Sequence, residues 1–573
     1  MQNTLIGLLE ERAGAPGPTL LHTPADGRSV TLDDVLDKAQ FLAGDFYDHG
    51  IRPGDVVGLV LQNGTGMLTA LLGLMYAGAV PAPLALPVSL GGLDAYERHL
   101  RAVVADSGMR CVLFGPELRR MRARLDAALT GAPDTAPTGA DTAAGTATTG
   151  TDPASGPGAP LLLDLDTLTA DTFRLALPPA PEAPAFLQYT SGSTSAPKGV
   201  VLTHRNMTAG IAAIRTASAV TREDRLGLWL PLFHDMGLIS LMVGLAHCSE
   251  VTLWQPGAFV RRPDRWLADF AARRCTLCSA PNFFYDLLSS TAESFAPGTL
   301  DLSAWRVAYN GAEPVQAATV ERFAGLFAPH GFAATTMLPV YGMAEATLAV
   351  TFHTTGTEPR TVWADRDALA DGRVARLLPG ATGARALVAL GRPVPGVRLR
   401  IDGDGAPDRV GEIQIAGEPV TSGYYRRPRE PYFTDDGWLR TGDLGFLDDG
   451  ELCVVGRIKD MIIVRGENLY PEDAEALVRD LPDVYHHRCV AVGGTDGDTE
   501  TVVVVAETKL EDPDRRAALA EEIAAVLRAG IGLAAPVVHL VAPHSLPQTS
   551  SGKIQRNRVR AAFADRRPAP AAG

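Results

Sequence analysis

Asp55-Val-Val-Gly-Leu-Val-Leu-Gln62, with the apolar run Met67–Ala77 and the extended stretch that follows to Val88, is the part of the sequence on which the fold reading turns. The first eight residues form a near-continuous apolar run of strand length, the pattern of a strand buried on both faces. The second run has the length of a helix. Pro81, Pro83 and Pro87 then keep the chain extended. Strand, helix and strand in this order are the rhythm of an α/β protein. Met67–Val88 as a whole reaches the length of a membrane span, but three prolines, Gly73 and Gly78 interrupt it, so a buried helix leading into a strand is expected.

Working outward, the chain has 573 residues, too many for one core of usual size, so two or more domains are expected. Residues 131–160 consist mainly of Gly, Ala, Thr, Pro, Asp and Ser with no aromatic side chain, and read as a flexible surface insertion. The α/β pattern resumes beyond it at Leu161-Leu-Leu and at Ala185-Phe-Leu-Gln. A boundary near 457–459 separates an N-terminal part, 1–457, from a compact α+β part, 458–573. In the latter, Met461–Val464, Val502–Glu507 and Val537–Leu540 read as extended, and Pro471–Arg479 and Pro513–Ala529 as helices. The expected fold is thus α/β, a large N-terminal domain of β-sheets packed with helices followed by a small mobile α+β domain. From Arg566 the chain is rich in Pro and Ala and is expected to fray.

Apolar residues make up 46% and charged residues 21%, a globular composition. A formal charge of -14 argues against a nonspecific nucleic-acid binder, which needs excess Lys and Arg, yet leaves nucleotide binding open. Of six cysteines only Cys275 and Cys278 stand close together. They could be half a zinc site, but no suitable second pair accompanies them, and Arg273-Arg-Cys-Thr-Leu-Cys-Ser-Ala280 reads better as a short buried strand. The start Met1-Gln-Asn-Thr-Leu-Ile6 has no basic region before an apolar run, so no signal peptide is evident, and a cytoplasmic protein is expected.

The first segment that carries chemistry is Tyr189-Thr-Ser-Gly-Ser-Thr-Ser-Ala-Pro-Lys-Gly-Val-Val-Leu-Thr-His204. Gly192 lets the backbone approach an anion, Thr190, Ser191, Ser193 and Thr194 offer donors to phosphate oxygens, and Lys198 adds a positive charge. It is not a Walker loop, because Gly199 stands where Ser or Thr should hold magnesium, and it contains no Gly-x-Ser-x-Gly elbow. A solvated Ser/Thr/Gly linker is the bland alternative, but a linker has no need of the flanking strand or of the Pro-Lys-Gly ending.

With that loop, the chain resembles the acyl-adenylate-forming superfamily of acyl-CoA synthetases, peptide-synthetase adenylation domains and luciferases. The resemblance runs along nearly the whole chain, with further motifs in the family's order. Asn310-Gly-Ala-Glu-Pro314 resembles the adenine-pocket segment, with Gly311, Ala312 and Glu313. Tyr341-Gly-Met-Ala-Glu-Ala-Thr347 resembles the second nucleotide motif. The resemblance implies that Tyr341 packs on adenine, with Gly342 and Met343 beside it. Thr347 would lie close to the phosphates or the acyl site, and Glu345 would help to hold Mg²⁺. Arg440-Thr-Gly-Asp443 is by itself a common turn; here Asp443 would accept the ribose hydroxyls. Gly456-Arg-Ile-Lys-Asp460 matches the family hinge, with Arg457 on ribose or phosphate and Lys459 as pivot. Pro547-Gln-Thr-Ser-Ser-Gly-Lys-Ile-Gln-Arg556 matches the loop of the catalytic lysine, Lys553.

The implied reaction is activation of a small-molecule acid by ATP, with Mg²⁺, to acyl-AMP and pyrophosphate. Such a site must aim cations at charge that develops in the transition state. Lys553 and Lys198 are such cations, and rotation about Lys459 withdraws Lys553 for a second half-reaction. Three segments are most similar to fatty acyl-AMP ligases, which serve carrier-protein phosphopantetheine in secondary metabolism. They are Leu230-Pro-Leu-Phe-His-Asp-Met-Gly-Leu238, Ala280-Pro-Asn-Phe-Phe-Tyr-Asp286 and Trp305–Pro314. In the first, His234 would lie near the acyl site; a lone histidine is more often structural, but the His-Asp pair in this motif reverses that preference. Phe352–Leu390 resembles the insertion that restrains domain rotation in acyl-AMP ligases. Val243, Leu245, Phe283 and Phe284 are candidates for an acyl tunnel, or plain core. Two features depart from the pattern: Ser195 replaces a usual glycine, and Arg465-Gly-Glu-Asn468 is as similar to CoA ligases. The alternatives are a ligase using coenzyme A, an enzyme adenylating an unusual acid such as nitrite, and a nucleotide sensor without catalysis.

Overall fold

The computed structural model describes residues 3–87, 92–130, 159–169, 173–190, 197–403, 408–464, 467–496, 499–533, 535–548 and 554–564. Most of the 131–160 segment and the stretch after 564 therefore lie outside the described residues.

Val56–Val60 is a strand in which all five residues are buried, and it pairs in parallel with Val80–Pro83 on one side and Cys111–Phe114 on the other. Leu161–Asp164 completes this four-stranded parallel sheet, so one sheet joins strands from both sides of the Gly/Ala/Thr-rich segment. The long apolar run divides as its composition requires. Thr65–Tyr76 is a helix buried on every face from Met67 to Tyr76. It turns at Gly78, whose φ of 71° suits a residue without Cβ, into the strand Val80–Pro83. No helix among the described residues is long and apolar enough to cross a membrane.

The larger sheet has nine strands. Its centre is parallel: Met337–Met343, Val307–Asn310, Leu277–Ala280, Arg225–Leu228, Glu250–Leu253 and Leu20–Thr23 lie side by side, with antiparallel strands at both edges. Cys278 lies on the buried strand Leu277–Ala280 and Cys275 is buried just before it. Burial pushes the Cys275 thiol up to about 12, so both cysteines behave as small apolar residues. The helix Asp235–His247 runs over this sheet with an almost wholly buried surface. The fold is α/β, with helices packed on mostly parallel sheets.

A four-stranded antiparallel sheet, Val397–Ile401 to Glu451–Arg457, follows. Against it lies the short pair Thr361–Asp365 and Ala384–Val388 with the helix Arg366–Ala370, sharing an apolar cluster with Phe446, Val455 and Tyr470. Beyond residue 461 a three-stranded sheet, Cys489–Asp496, Thr499–Glu507 and Val537–Val541, packs with the helices Pro471–Val478 and Pro513–Ile531 around its own apolar cluster. The chain thus buries several separate cores, as its length requires.

Candidate active site

The hairpin of Pro184–Thr190 and Lys198–Thr203 sets Thr190 directly opposite Lys198. The connecting Ser191, Gly192, Ser193, Thr194 and Ser195 lie outside the described residues, as does Lys553. Thr190 and Lys198 both line a cavity of about 1200 Å³ between the large sheet, the antiparallel sheet and the C-terminal unit. The Lys198 ammonium lies 4.7 Å from the ring centre of Tyr432 and 5.6 Å from that of Tyr424. Two electron-rich faces thus hold the cation in place.

Tyr424 continues the network: its hydroxyl donates to Glu345 Oε1 at 2.7 Å. Glu345 lines the cavity and is buried. Burial raises its carboxyl above the ordinary value, the Tyr424 hydrogen bond opposes that rise, and the nearby charge of Asp235 adds to it. A second network lies beside the first. The Tyr341 hydroxyl donates to Asp443 Oδ2 at 2.7 Å, and Arg457 Nε lies 2.8 Å from Asp443 Oδ1. Asp443 is buried while Arg457 is half exposed, and the carboxylate raises the guanidinium above its usual value. Burial, with Asp443 beside it, also holds the Tyr341 phenol well above its ordinary value.

Gly342, Met343, His234 and Ala312 complete this polar end. His234 is the N-cap of the helix Asp235–His247. Ala312 adopts a φ of 65°, and Gly311 before it packs so closely that a Cβ would meet Val340 Cγ2 at 2.6 Å. Gly311 is therefore a spacer behind the wall. Two side chains depart from the sequence reading. Glu313 does not line the cavity; its Oε1 accepts from Phe283 N at 2.6 Å and so satisfies a free N–H in the first turn of the helix Asn282–Ser289. Thr347 is fully buried and donates to Pro419 O at 2.7 Å. With φ of 47° it fixes a strained turn and does not line the cavity.

Away from the charges the cavity becomes apolar, walled by Ile214, Leu226, Val243, Gly244, Leu277 and Phe352. Of the four proposed tunnel residues only Val243 lies on this wall. Leu245 is fully buried core, Phe284 stacks on Trp229 at 5.4 Å, and Phe283 meets the same Trp229 edge-on. Apolar side chains flanking a motif are usually packed inward, and these three are.

The AMP-binding enzyme signature matches residues 9–425. The chain belongs to the AMP-binding enzyme family. A Caulobacter vibrioides protein, provisionally named an acyl-CoA synthetase, is 35% identical over 92% of this chain and 89% of its own length. A 4-hydroxyphenylalkanoate adenylyltransferase of Mycobacterium tuberculosis is 31% identical over 92% of this chain and 85% of its own. Among solved structures, a fatty acyl-adenylate ligase from work on the E. coli and L. pneumophila enzymes superposes with a TM-score of 0.85 at 29% identity, covering 98% of each chain.

As an AMP-binding enzyme the chain is an adenylate-forming ligase that uses ATP and a small-molecule acid. Among the described residues no group of three or more His, Cys, Asp or Glu side chains is arranged to hold a metal ion. Mg²⁺ among phosphates needs less, commonly one or two carboxylates with the remaining positions filled by phosphate and water. Glu345 fits that demand: it is buried, lines the cavity, and burial disfavours its charged form. The sequence reading missed Tyr424 and Tyr432. The signal was present in Ser422-Gly-Tyr-Tyr-Arg-Arg-Pro-Arg-Glu-Pro-Tyr-Phe433, an aromatic and cationic run too polar to be core.

Proposed function

We propose that this AMP-binding enzyme activates a fatty or other extended acyl acid as its acyl-AMP and passes the acyl group to carrier-protein phosphopantetheine. The observation that carries this reading is the continuity of one cavity from the Lys198–Glu345–Asp443 end to the apolar wall at Val243 and Leu226. In this account a carboxylate oxygen of the substrate attacks the α-phosphorus, the bond to the bridging oxygen of the β-phosphate breaks, and pyrophosphate leaves with the electron pair. Lys198, positioned by its two tyrosines, faces the leaving phosphates, and Lys553 contacts the α-phosphate and the carboxylate. Asp443 and Arg457 hold the ribose, Tyr341 offers its ring to adenine, and His234 stands beside the reacting carboxylate. Glu345 would hold Mg²⁺, which would supply charge neutralisation at the phosphates.

Residues 1–457 form the adenylation domain and 458–573 the lid in this reading, with 352–390 as a restraint on rotation. The contacts of that stretch support it. Arg385 Nε lies 3.2 Å and Arg366 Nε 3.7 Å from Asp473 Oδ1, and Tyr470 OH donates to Leu369 O. Such ties oppose rotation of the C-terminal unit, a restraint that resembles that of acyl-AMP ligases and so favours an acyl-AMP ligase over a coenzyme A ligase. The Caulobacter relative favours coenzyme A as a second reading. Nitrite, or a nucleotide sensor, would leave the apolar chamber without a role.

The test is pyrophosphate release from ATP across a panel of acids, followed by addition of coenzyme A or a phosphopantetheinylated carrier. Acid-dependent release, with thioester formed on the carrier and none on coenzyme A, is expected. Rapid formation of a coenzyme A thioester would instead establish the second reading.

A further inference from the structure

The helix Asp235–His247 contributes Met236, Ser240, Val243 and Gly244 to the cavity wall, with Cys248 just past its end. These positions recur at the spacing of one helical face, so the helix acts as a ruler along the chamber. At about 1.5 Å per residue, Ser240 lies about 9 Å beyond His234, and Gly244 about 15 Å beyond it. The walls around this stretch are apolar. Tyr309 brings a hydroxyl near the far end, but it donates to Ser218 at 2.7 Å, and Ser218 donates in turn to Ile214 O at 2.6 Å. That polar group is satisfied within the protein.

Ser240 and Ser279 differ. They face each other from the helix and from the strand Leu277–Ala280, both line the cavity, and both are almost fully buried. Their Oγ atoms lie 2.9 Å apart. Two hydroxyls carry two hydrogens, and the bond between them uses one. The other has no acceptor among the described residues, and lone pairs on both oxygens remain free. A saturated acyl chain in this chamber would cover an unpaired donor and leave its desolvation uncompensated. A group bearing oxygen would complete it.

We propose that Ser240 and Ser279 select an acid that carries a hydroxyl or ether oxygen partway along its chain, an inference that rests on the acid-activating reading above. A staggered chain built from bonds of about 1.5 Å advances about 1.25 Å per bond, so the matching oxygen lies about seven bonds from the carboxyl carbon. The pair thereby distinguishes acids of equal length by their polarity at one depth.

The experiment measures kcat/KM for acid-dependent pyrophosphate release with two matched pairs: heptanoate against 7-hydroxyheptanoate, and 3-phenylpropanoate against 3-(4-hydroxyphenyl)propanoate. In the unaltered enzyme the oxygenated acid of at least one pair is expected to be preferred about tenfold, the worth of one buried hydrogen bond. In the double variant Ser240→Ala, Ser279→Ala that ratio falls to about one or below. Each ratio is internal to one preparation, so partial unfolding of a variant does not move it. Ratios of one or less for both pairs in the unaltered enzyme, or a preference that survives both alanines, overturn the proposal. No pyrophosphate from any acid would defeat the acid-activating reading itself.

Discussion

The two ends of the cavity are built by opposite means. At the polar end, charged side chains are held by one another and by strained turns: Lys198 over two tyrosines, Glu345 on Tyr424, Asp443 between Tyr341 and Arg457, with Ala312 and Thr347 at positive φ nearby. At the apolar end, the walls are the flat faces of a helix and parallel strands that the fold needs anyway. The difference teaches how labour is divided. On the proposed function, preorganised charge at one end would set the reaction, and the walls at the other end would read the substrate.

That division is open to attack at both ends. The largest effect is expected from Lys198→Ala, which removes a cation aimed at the phosphates; kcat for adenylation should fall about 100- to 1000-fold, with little change in the melting temperature. A comparable loss of stability in the same variant would mean that Lys198 serves the fold and not the chemistry. Arg385→Ala comes next. It leaves Asp473, which is almost fully buried, with Arg366 as its remaining nearby cation, and should lower stability by about 3 kcal/mol. Hydrogen exchange should quicken first in Pro471–Val478.

The pH dependence gives a third test. His204 is buried and its pKa is lowered to about 4 by desolvation. Its native pKa lies below that of the unfolded chain, so the unfolded state binds more protons between about pH 6.5 and 4, and stability falls as pH falls through that window. The loss assigned to this residue is about 3 kcal/mol, and denaturant titrations at stepped pH should show it shrink in His204→Gln. At the apolar end, Val243→Phe should cut kcat/KM for long acids about tenfold to 100-fold while sparing short ones. The smallest effect on stability concerns Glu345. Its raised pKa means that its charge burdens the ligand-free fold at neutral pH. Glu345→Gln should therefore lose most activity yet melt at a slightly higher temperature in a thermal denaturation scan.

Much of this architecture is legible in the sequence. The strand at Val56–Val60 and the helix at Thr65–Tyr76 follow from apolar runs and prolines, and the elements after residue 461 fall close to their expected bounds. Motifs lead to Lys198, Tyr341, Glu345, Asp443 and Arg457 because each is a charged or polar residue in a short, unusual pattern. What local pattern does not reveal is direction. Glu313 and Thr347 sit inside such motifs yet turn away, because a backbone N–H and a carbonyl claim them. Phe283 and Phe284 look like tunnel residues but pack on Trp229, whereas Ser240 and Ser279, unremarkable in sequence, meet across the chamber from segments far apart in the chain.

The most direct measurement of the central claim is exchange of labelled pyrophosphate into ATP, which requires reversible formation of an acyl-adenylate. With an extended acyl acid, and with neither coenzyme A nor carrier protein present, the enzyme is predicted to catalyse this exchange, and Lys553→Ala to lose it. Exchange that proceeds without any acid, or that needs coenzyme A, would contradict the account.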